Sequence, residues 1–257
     1  MPSKDIPVPA RALAVGAHPD DIEFKAGATL AKWAAAGCEV SFVVCTDGSK
    51  GSWDPTADLD ALVATRKAEA AAAARALGVT GQVVFLGRVD GELENDRETR
   101  SELARWIRVL KPDALLGHDP WKRYRLHPDH RAAGFLTCDA LVAARDPHFF
   151  PEHQVPHHRP GTLLLFEADE PDHAEAVDPA HVDAKIAALE AHRSQYESTM
   201  FISDGDSTTS SDGTSPTGQA GPEAQRFRDH IRAGVTEVGR WSGVMGAENF
   251  RLMATDR

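Results

Sequence analysis

Two four-residue segments carry most of the chemistry legible in this chain: His18-Pro19-Asp20-Asp21 and His127-Pro128-Asp129-His130. Neutral imidazole and carboxylate oxygen are the donors of mixed zinc sites. In the first segment a strand-to-helix turn can bring His18 and Asp21 onto one ion, and Pro19 stiffens that turn by fixing its own φ. Asp20 then lies beside the ion without having to ligate it, where a general base for an attacking water belongs. The same two carboxylates would also suit the first turn of a helix, which favours acidic residues. In the second segment His127 and His130 can face one side of a helix start. One of them can complete the ligand set. The other, as a protonated imidazole, can stabilise the oxyanion of a tetrahedral intermediate. Asp129 is placed to orient and charge that imidazole.

The elements around these segments put both at one edge of a sheet. Apolar or β-branched runs at 12–17, 39–46, 82–86, 113–117 and 162–167 read as buried strands. Between and after them, 23–36, 57–77, 98–110, 128–145 and 179–197 have helix-forming composition and spacing, with Gly37 and Gly78 placed to stop the first two. Pro128 sits at a favoured first helical position. Strands alternating with helices predict an α/β fold, a three-layer sandwich around a mostly parallel sheet. Ligands bind such sheets at the carboxyl ends of their strands. The first segment follows the first strand and the second follows the fourth strand after a short loop. The stretch 203–222, nearly all Ser, Thr, Gly, Asp and Pro, reads as an exposed flexible loop or a lid within a single domain spanning 1–257.

Composition narrows the function classes. A formal net charge of −11 argues against nucleic acid and against anionic lipid surfaces as partners. No run approaches the length of a membrane span and no apolar leader opens the chain, so a cytoplasmic location is expected. Cys38, Cys45 and Cys138 form no metal or disulfide pattern, and Cys38 and Cys45 read as small fillers of a core. His148, His153, His157 and His158 recur without a carboxylate or Cys at ligand spacing and read as loop residues. His118 and Asp119 are the spare candidates for a second metal. A metallophosphoesterase would need such a second set. A non-catalytic sugar-binding protein, with Trp53 or Trp121 stacking on a ring, would need none of Asp20, His127 and Asp129. The first strand leads into GAHPDD and not a glycine-rich phosphate cradle, which argues against a nucleotide site.

From about residue 11 to about residue 200 the chain resembles the PIG-L/LmbE-like zinc N-deacetylases, on the segments AHPDDIE at 17–23 and HPDHRAAG at 127–134. The resemblance implies a Rossmann-like fold, with His18, Asp21 and His130 as metal ligands and Asp20 as general base. It implies that His127 stabilises the oxyanion, with Asp129 as its partner. Arg66, in TRKAEA, resembles a substrate-contacting arginine, and Asp90, in RVDGEL, a carboxylate that meets substrate hydroxyls. Where some members carry a Tyr two residues before the oxyanion His, this chain has Arg125, with Tyr124 beside it. The expected reaction is removal of an acetyl or other acyl group from the nitrogen of a small amino-sugar conjugate. The expected cofactor is Zn2+, although Fe2+ or Co2+ suits the same donors. A homo-oligomer is compatible with this reading.

Overall fold

The computed structural model describes residues 1–203 and 221–255. The stretch expected to form a loop or lid, 203–222, lies almost wholly outside them. The strands are β1 Ser3–Lys4, β2 Arg11–Gly16, β3 Glu39–Thr46, β4 Val83–Arg88, β5 Ala114–His118, β6 Thr162–Phe166, β7 His173–Ala176 and β8 Ala247–Ala254. The helices are α1 Asp21–Ala35, α2 Leu59–Ala76, α3 Arg97–Leu110, α4 Pro128–Arg145, α5 Pro179–Glu190 and α6 Pro222–Ser242. All the strands join one sheet in the order β1-β7-β8-β6-β5-β2-β3-β4. Only the two pairings made by β8 are antiparallel.

Strand alternation makes the three layers. Along β2, Leu13 and Val15 face one side with Leu103, Ile107 and Leu136, from α3 and α4. Ala12 and Ala14 face the other with Ile22, Leu30, Trp33 and Ala188, from α1 and α5. Successive strand side chains point to opposite faces, so a strand buried on both sides reads as an unbroken apolar run. The helix ends follow their residues. Asp58 and Asp96 accept backbone N–H groups at the starts of α2 and α3, at 3.0 and 2.8 Å. Gly37 and Gly78 take positive φ just after α1 and α2.

The order of the strands reverses between β2 and β5, which pair directly. From β2 the chain steps outward to β3 and β4; from β5 it steps the other way to β6. Neighbouring connections therefore diverge at the carboxyl ends of β2 and β5 and leave a crevice. The residues after β2 include His18, and β5 itself ends in His118.

Three expectations are corrected. The helix expected over 179–197 ends at Glu190, and a 3-10 turn (Arg193–Gln195) and a π turn (Tyr196–Met200) follow. There Ser194 gives its backbone N–H and its hydroxyl to Glu69 of α2, at 2.8 and 2.6 Å, which competes with continuation of the helix. The sheet also gains β1, β7 and β8. β7 was illegible because its buried His173 and Glu175, paired at 2.9 Å, give it a polar sequence. Finally, α6 packs on β8, β7 and α5. No helix among the described residues is long and apolar enough to cross a membrane.

Candidate active site

The turn from β2 into α1 places His18, Asp20 and Asp21 at the crevice. Asp21 does not cap the helix through its side chain; its Oδ2 accepts the His18 backbone N–H at 2.8 Å, which tightens the turn. Asp20 has φ of 119° and makes no capping hydrogen bond. That left-handed conformation is costly for a residue with a Cβ and needs outside support. Arg66 from α2 supplies it. Its Nη2 donates to the Pro19 carbonyl at 2.7 Å and to Asp20 Oδ2 at 3.1 Å, and its Nη1 donates to the Gly48 carbonyl at 2.9 Å. A Cβ at Gly51 would lie 2.3 Å from the guanidinium, so the loop after β3 must be bare there. Arg66 is 2% exposed, far from the solvated helix face that its sequence also permits.

α4 brings the second segment against the first. His18 Nδ1 lies 3.1 Å from His130 Nε2 and 3.3 Å from Asp21 Oδ2, and His130 Nε2 lies 3.3 Å from Asp21 Oδ1. Metal–nitrogen bonds of about 2.0–2.1 Å in a tetrahedral site place ligand atoms about 3.3–3.4 Å from one another. The three groups expected as ligands thus span one face of a tetrahedron of the right size. His118 Nε2 also lies 3.3 Å from Asp21 Oδ2. Among the described residues, the three groups of side chains able to hold an ion overlap through His18 and His130. They describe one neighbourhood and not two separate ones.

The other ring nitrogen of His18, Nε2, sits between two carboxylates, Asp90 Oδ1 and Asp129 Oδ2, each at 3.1 Å. Asp129 also accepts the backbone N–H groups of Gly91 and Leu93, at 2.6 and 3.2 Å. The carboxylate expected to partner His127 is therefore turned onto His18. What orients His127 is the backbone of Asp129, whose N–H donates to His127 Nδ1 at 3.3 Å. That bond leaves the His127 proton on Nε2. The His127 ring stacks on His130 with centroids 4.9 Å apart and meets the edge of His18 at 4.6 Å.

Charge is concentrated here. Burial would lower the His18 pKa, but hydrogen bonds accepted by Asp129, Asp21 and Asp90 outweigh it and push it up to about 12. Burial raises the Asp20 carboxyl, Arg66 opposes it and Asp21 reinforces it; the net is a rise to about 6. Burial also disfavours the Asp21 carboxylate, yet His118 and His18 hold its pKa well below the ordinary range. Burial and the charge of His18 lower His127. The His18 ring thus lies among three carboxylates that favour its positive form.

These groups open on a cavity of about 480 Å3, a volume within the range of small-molecule sites, about 300–1,000 Å3. Its walls include Lys50, Gly51, Asp90, His127, Gln195 and Thr199. All eight side chains singled out in the sequence, including Arg66 and Asp90, lie at or directly behind this cavity. Four contributors were missed or given other readings. His118, considered only as a spare, ends β5 and is buried. Glu167 follows β6 and is bonded to His118, Lys25 and Arg125. Gln195 and Thr199 arrive on the turns after α5. Glu167 had a usable signal, a carboxylate directly after an apolar strand at the ligand-binding edge. Gln195 and Thr199 had none: Gln195 lay within the stretch read as helix, and Thr199 just beyond it. The three cysteines are free, with Cys38 and Cys45 buried as expected of fillers.

Residues 13–141 match the family model described as PIG-L, GlcNAc-PI de-N-acetylase. The diacetylchitobiose deacetylase of Thermococcus kodakarensis is 33% identical over 190 residues, covering 72% of this chain and 70% of that protein. A 1D-myo-inositol 2-acetamido-2-deoxy-alpha-D-glucopyranoside deacetylase of Streptomyces avermitilis is 36% identical over 178 residues, and there the chain spans only 60% of the relative's length. Among solved structures, N,N'-diacetylchitobiose deacetylase from Pyrococcus horikoshii superposes with a TM-score of 0.79 at 28% identity, covering 96% of this chain and 84% of the other. With half the chain inside the family model, both HPD segments within it and the sheet shared with a solved deacetylase, the chain belongs to the PIG-L (LmbE-like) de-N-acetylase family.

Proposed function

We propose that this protein is a metal-dependent hydrolase that removes the acetyl group, or another small acyl group, from the nitrogen of an amino-sugar conjugate such as an N-acetylglucosaminyl compound. The observation that carries the reading is the meeting of His18 Nδ1, Asp21 and His130 Nε2 within 3.3 Å of one another, beside the buried Asp20 and the ring of His127. Membership of the family supports it, as do relatives named for deacetylation of diacetylchitobiose and of a glucosaminyl inositol.

In this reading His18, Asp21 and His130 hold the ion, with zinc the first candidate and iron(II) or cobalt(II) compatible with the same donors. When bound, the ion supplies Lewis acidity to the amide carbonyl and lowers the pKa of water towards neutrality. Asp20, held by Arg66 and raised by burial, accepts the proton of the attacking water. It then passes that proton to the nitrogen, which must be protonated to leave as an amine. His127 presents Nε2–H to the oxygen that gains charge, and a neutral imidazole suffices for that donation. Asp90 and Asp129 fix the His18 ring through its second nitrogen. Asp90, at the cavity wall, is assigned to substrate hydroxyls, and Arg66 to substrate contact. Gln195 and Thr199 add hydrogen-bonding groups on the facing wall.

The test is amine release from a panel of N-acetylated amino sugars and their conjugates, with metal-replete wild type and Asp20→Asn assayed side by side. Release by the wild type alone is expected. No release from any member of the panel overturns the amino-sugar reading.

A further inference from the structure

Behind the candidate metal centre stands a carboxylate that the proposed chemistry leaves unused. Glu167 directly follows Phe166, whose register partner across β5 and β6 is His118. Its φ is 61°, a left-handed conformation that a residue with a side chain takes only under external constraint. The constraint is a set of three charged or chargeable neighbours. Glu167 Oε2 lies 3.2 Å from His118 Nδ1, and Lys25 Nζ meets Oε1 at 2.8 Å. Arg125 binds both oxygens, at 3.0 and 2.7 Å.

The far side of that set points into the centre. His118 is 1% exposed, and its Nε2 lies 3.3 Å from Asp21 Oδ2. Its ring therefore spans two carboxylates, one behind the site and one within it. His130 Nδ1 is buried without a hydrogen-bond partner, and the carboxylate facing it is Glu167, whose Oε2 is 3.8 Å away. A histidine that ligates a metal through one nitrogen gives its other N–H to an acceptor, most often a carboxylate or carbonyl. His18 already has such acceptors in Asp90 and Asp129. His130 lacks one unless Glu167 closes the last few tenths of an ångström.

We propose that Glu167 is a positioning residue of the metal centre: it holds His118 against Asp21 and takes the free ring nitrogen of His130, so that two of the three ligands are oriented from one carboxylate. This rests on the metal-dependent reading above. Arg125 and Lys25 keep the carboxylate charged and in place. Arg125 thus belongs to the support of the site, at the position where some family members have a Tyr.

The test measures Co2+ binding to metal-stripped protein by competition with a chelator, in wild type, Glu167→Gln, His118→Gln and the double variant, together with the thermal midpoint of each metal-free form. We expect the two single variants to lose about 10–100-fold in affinity, the range for loss of a carboxylate behind a metal-bound histidine. The double variant is expected to lose less than the product of the two, because the residues act in one chain. Metal-free midpoints close to wild type are expected, since a merely structural role would lower them without a selective effect on the ion. Affinity within twofold of wild type in folded Glu167→Gln overturns the proposal. If that variant does not fold, unchanged affinity in His118→Gln overturns it equally. X-ray absorption of the Co2+ protein is expected to count two imidazoles; three would make His118 a ligand and overturn its outer place. A wild type that takes up no ion overturns the metal reading and this proposal together, whereas tight binding that is indifferent to Glu167 overturns this proposal alone.

Discussion

At the scale of single residues, adjacent aspartates are given different work by what surrounds them. Asp21 lies among His18, His118 and His130 and is held ionised; Asp20 is buried beside Arg66 and raised towards neutrality. Asp20→Asn is therefore expected to keep its metal and to lose turnover by about 10²–10⁴-fold, the scale of a removed general base. Elemental analysis and amine release check the two halves, and unchanged turnover removes Asp20 from the role. His130→Ala is expected to lose the ion; full metal occupancy would show the ligand set to be wrong. Arg66 separates two roles that the sequence could not. If it acts by holding Asp20, Arg66→Lys lowers kcat by about 10–100-fold, the worth of hydrogen bonds to a charged group, and leaves KM nearly alone. If it acts by contacting substrate, KM rises instead.

At the scale of elements, legibility followed periodicity. β2, β3 and β5 are buried on both faces and announced themselves as apolar runs, and α2 did so by composition. The HPD segments fell at the crevice because strand edges and helix starts are local features. What stayed hidden depends on partners distant in sequence. β7 is strand because its buried polar residues pair among themselves and with β1, and Glu167 matters only because β5 and β6 lie side by side. The contact between α1 and α5 is a further case. Lys185, which looks like a surface residue of a helix, is buried: its Nζ bonds Glu248 at 2.6 Å and the Phe24 carbonyl at 2.7 Å. Glu248 in turn accepts the Ala28 and Thr29 N–H groups at 3.2 and 2.7 Å. Removing one partner of a buried, hydrogen-bonded pair typically costs about 3–5 kcal/mol. Lys185→Met is expected to lose stability on that scale by denaturant titration, and a change below about 1 kcal/mol would mean that the pair is well replaced by packing.

At the scale of the whole molecule, the centre concentrates a charge imbalance that already marks the chain, whose formal net charge is −11. Asp20, Asp21, Asp90, Asp129 and Glu167 converge there, against the fixed cations Arg66, Arg125 and Lys25. Without an ion, positive charge on His18 and His118 is favoured by these carboxylates. With a divalent ion the imidazoles are free to ligate as neutral groups. In the proposed reading the ion is linked to stability as well as to turnover, because an unfolded chain holds no such cluster. A ligand at 100 times its dissociation constant adds about 2.7 kcal/mol to the folded state. For a chain of this size that corresponds to roughly 5–11 °C in Tm. Stripping the metal with a chelator is expected to lower the wild-type Tm by that order, and returning zinc to restore it. Asp20→Asn, which keeps every ligand, is expected to show the same shift, and His130→Ala to show almost none. Equal midpoints for stripped and replete wild type would mean that the cluster balances its charge with protons alone, and the metal-dependent reading would then be lost.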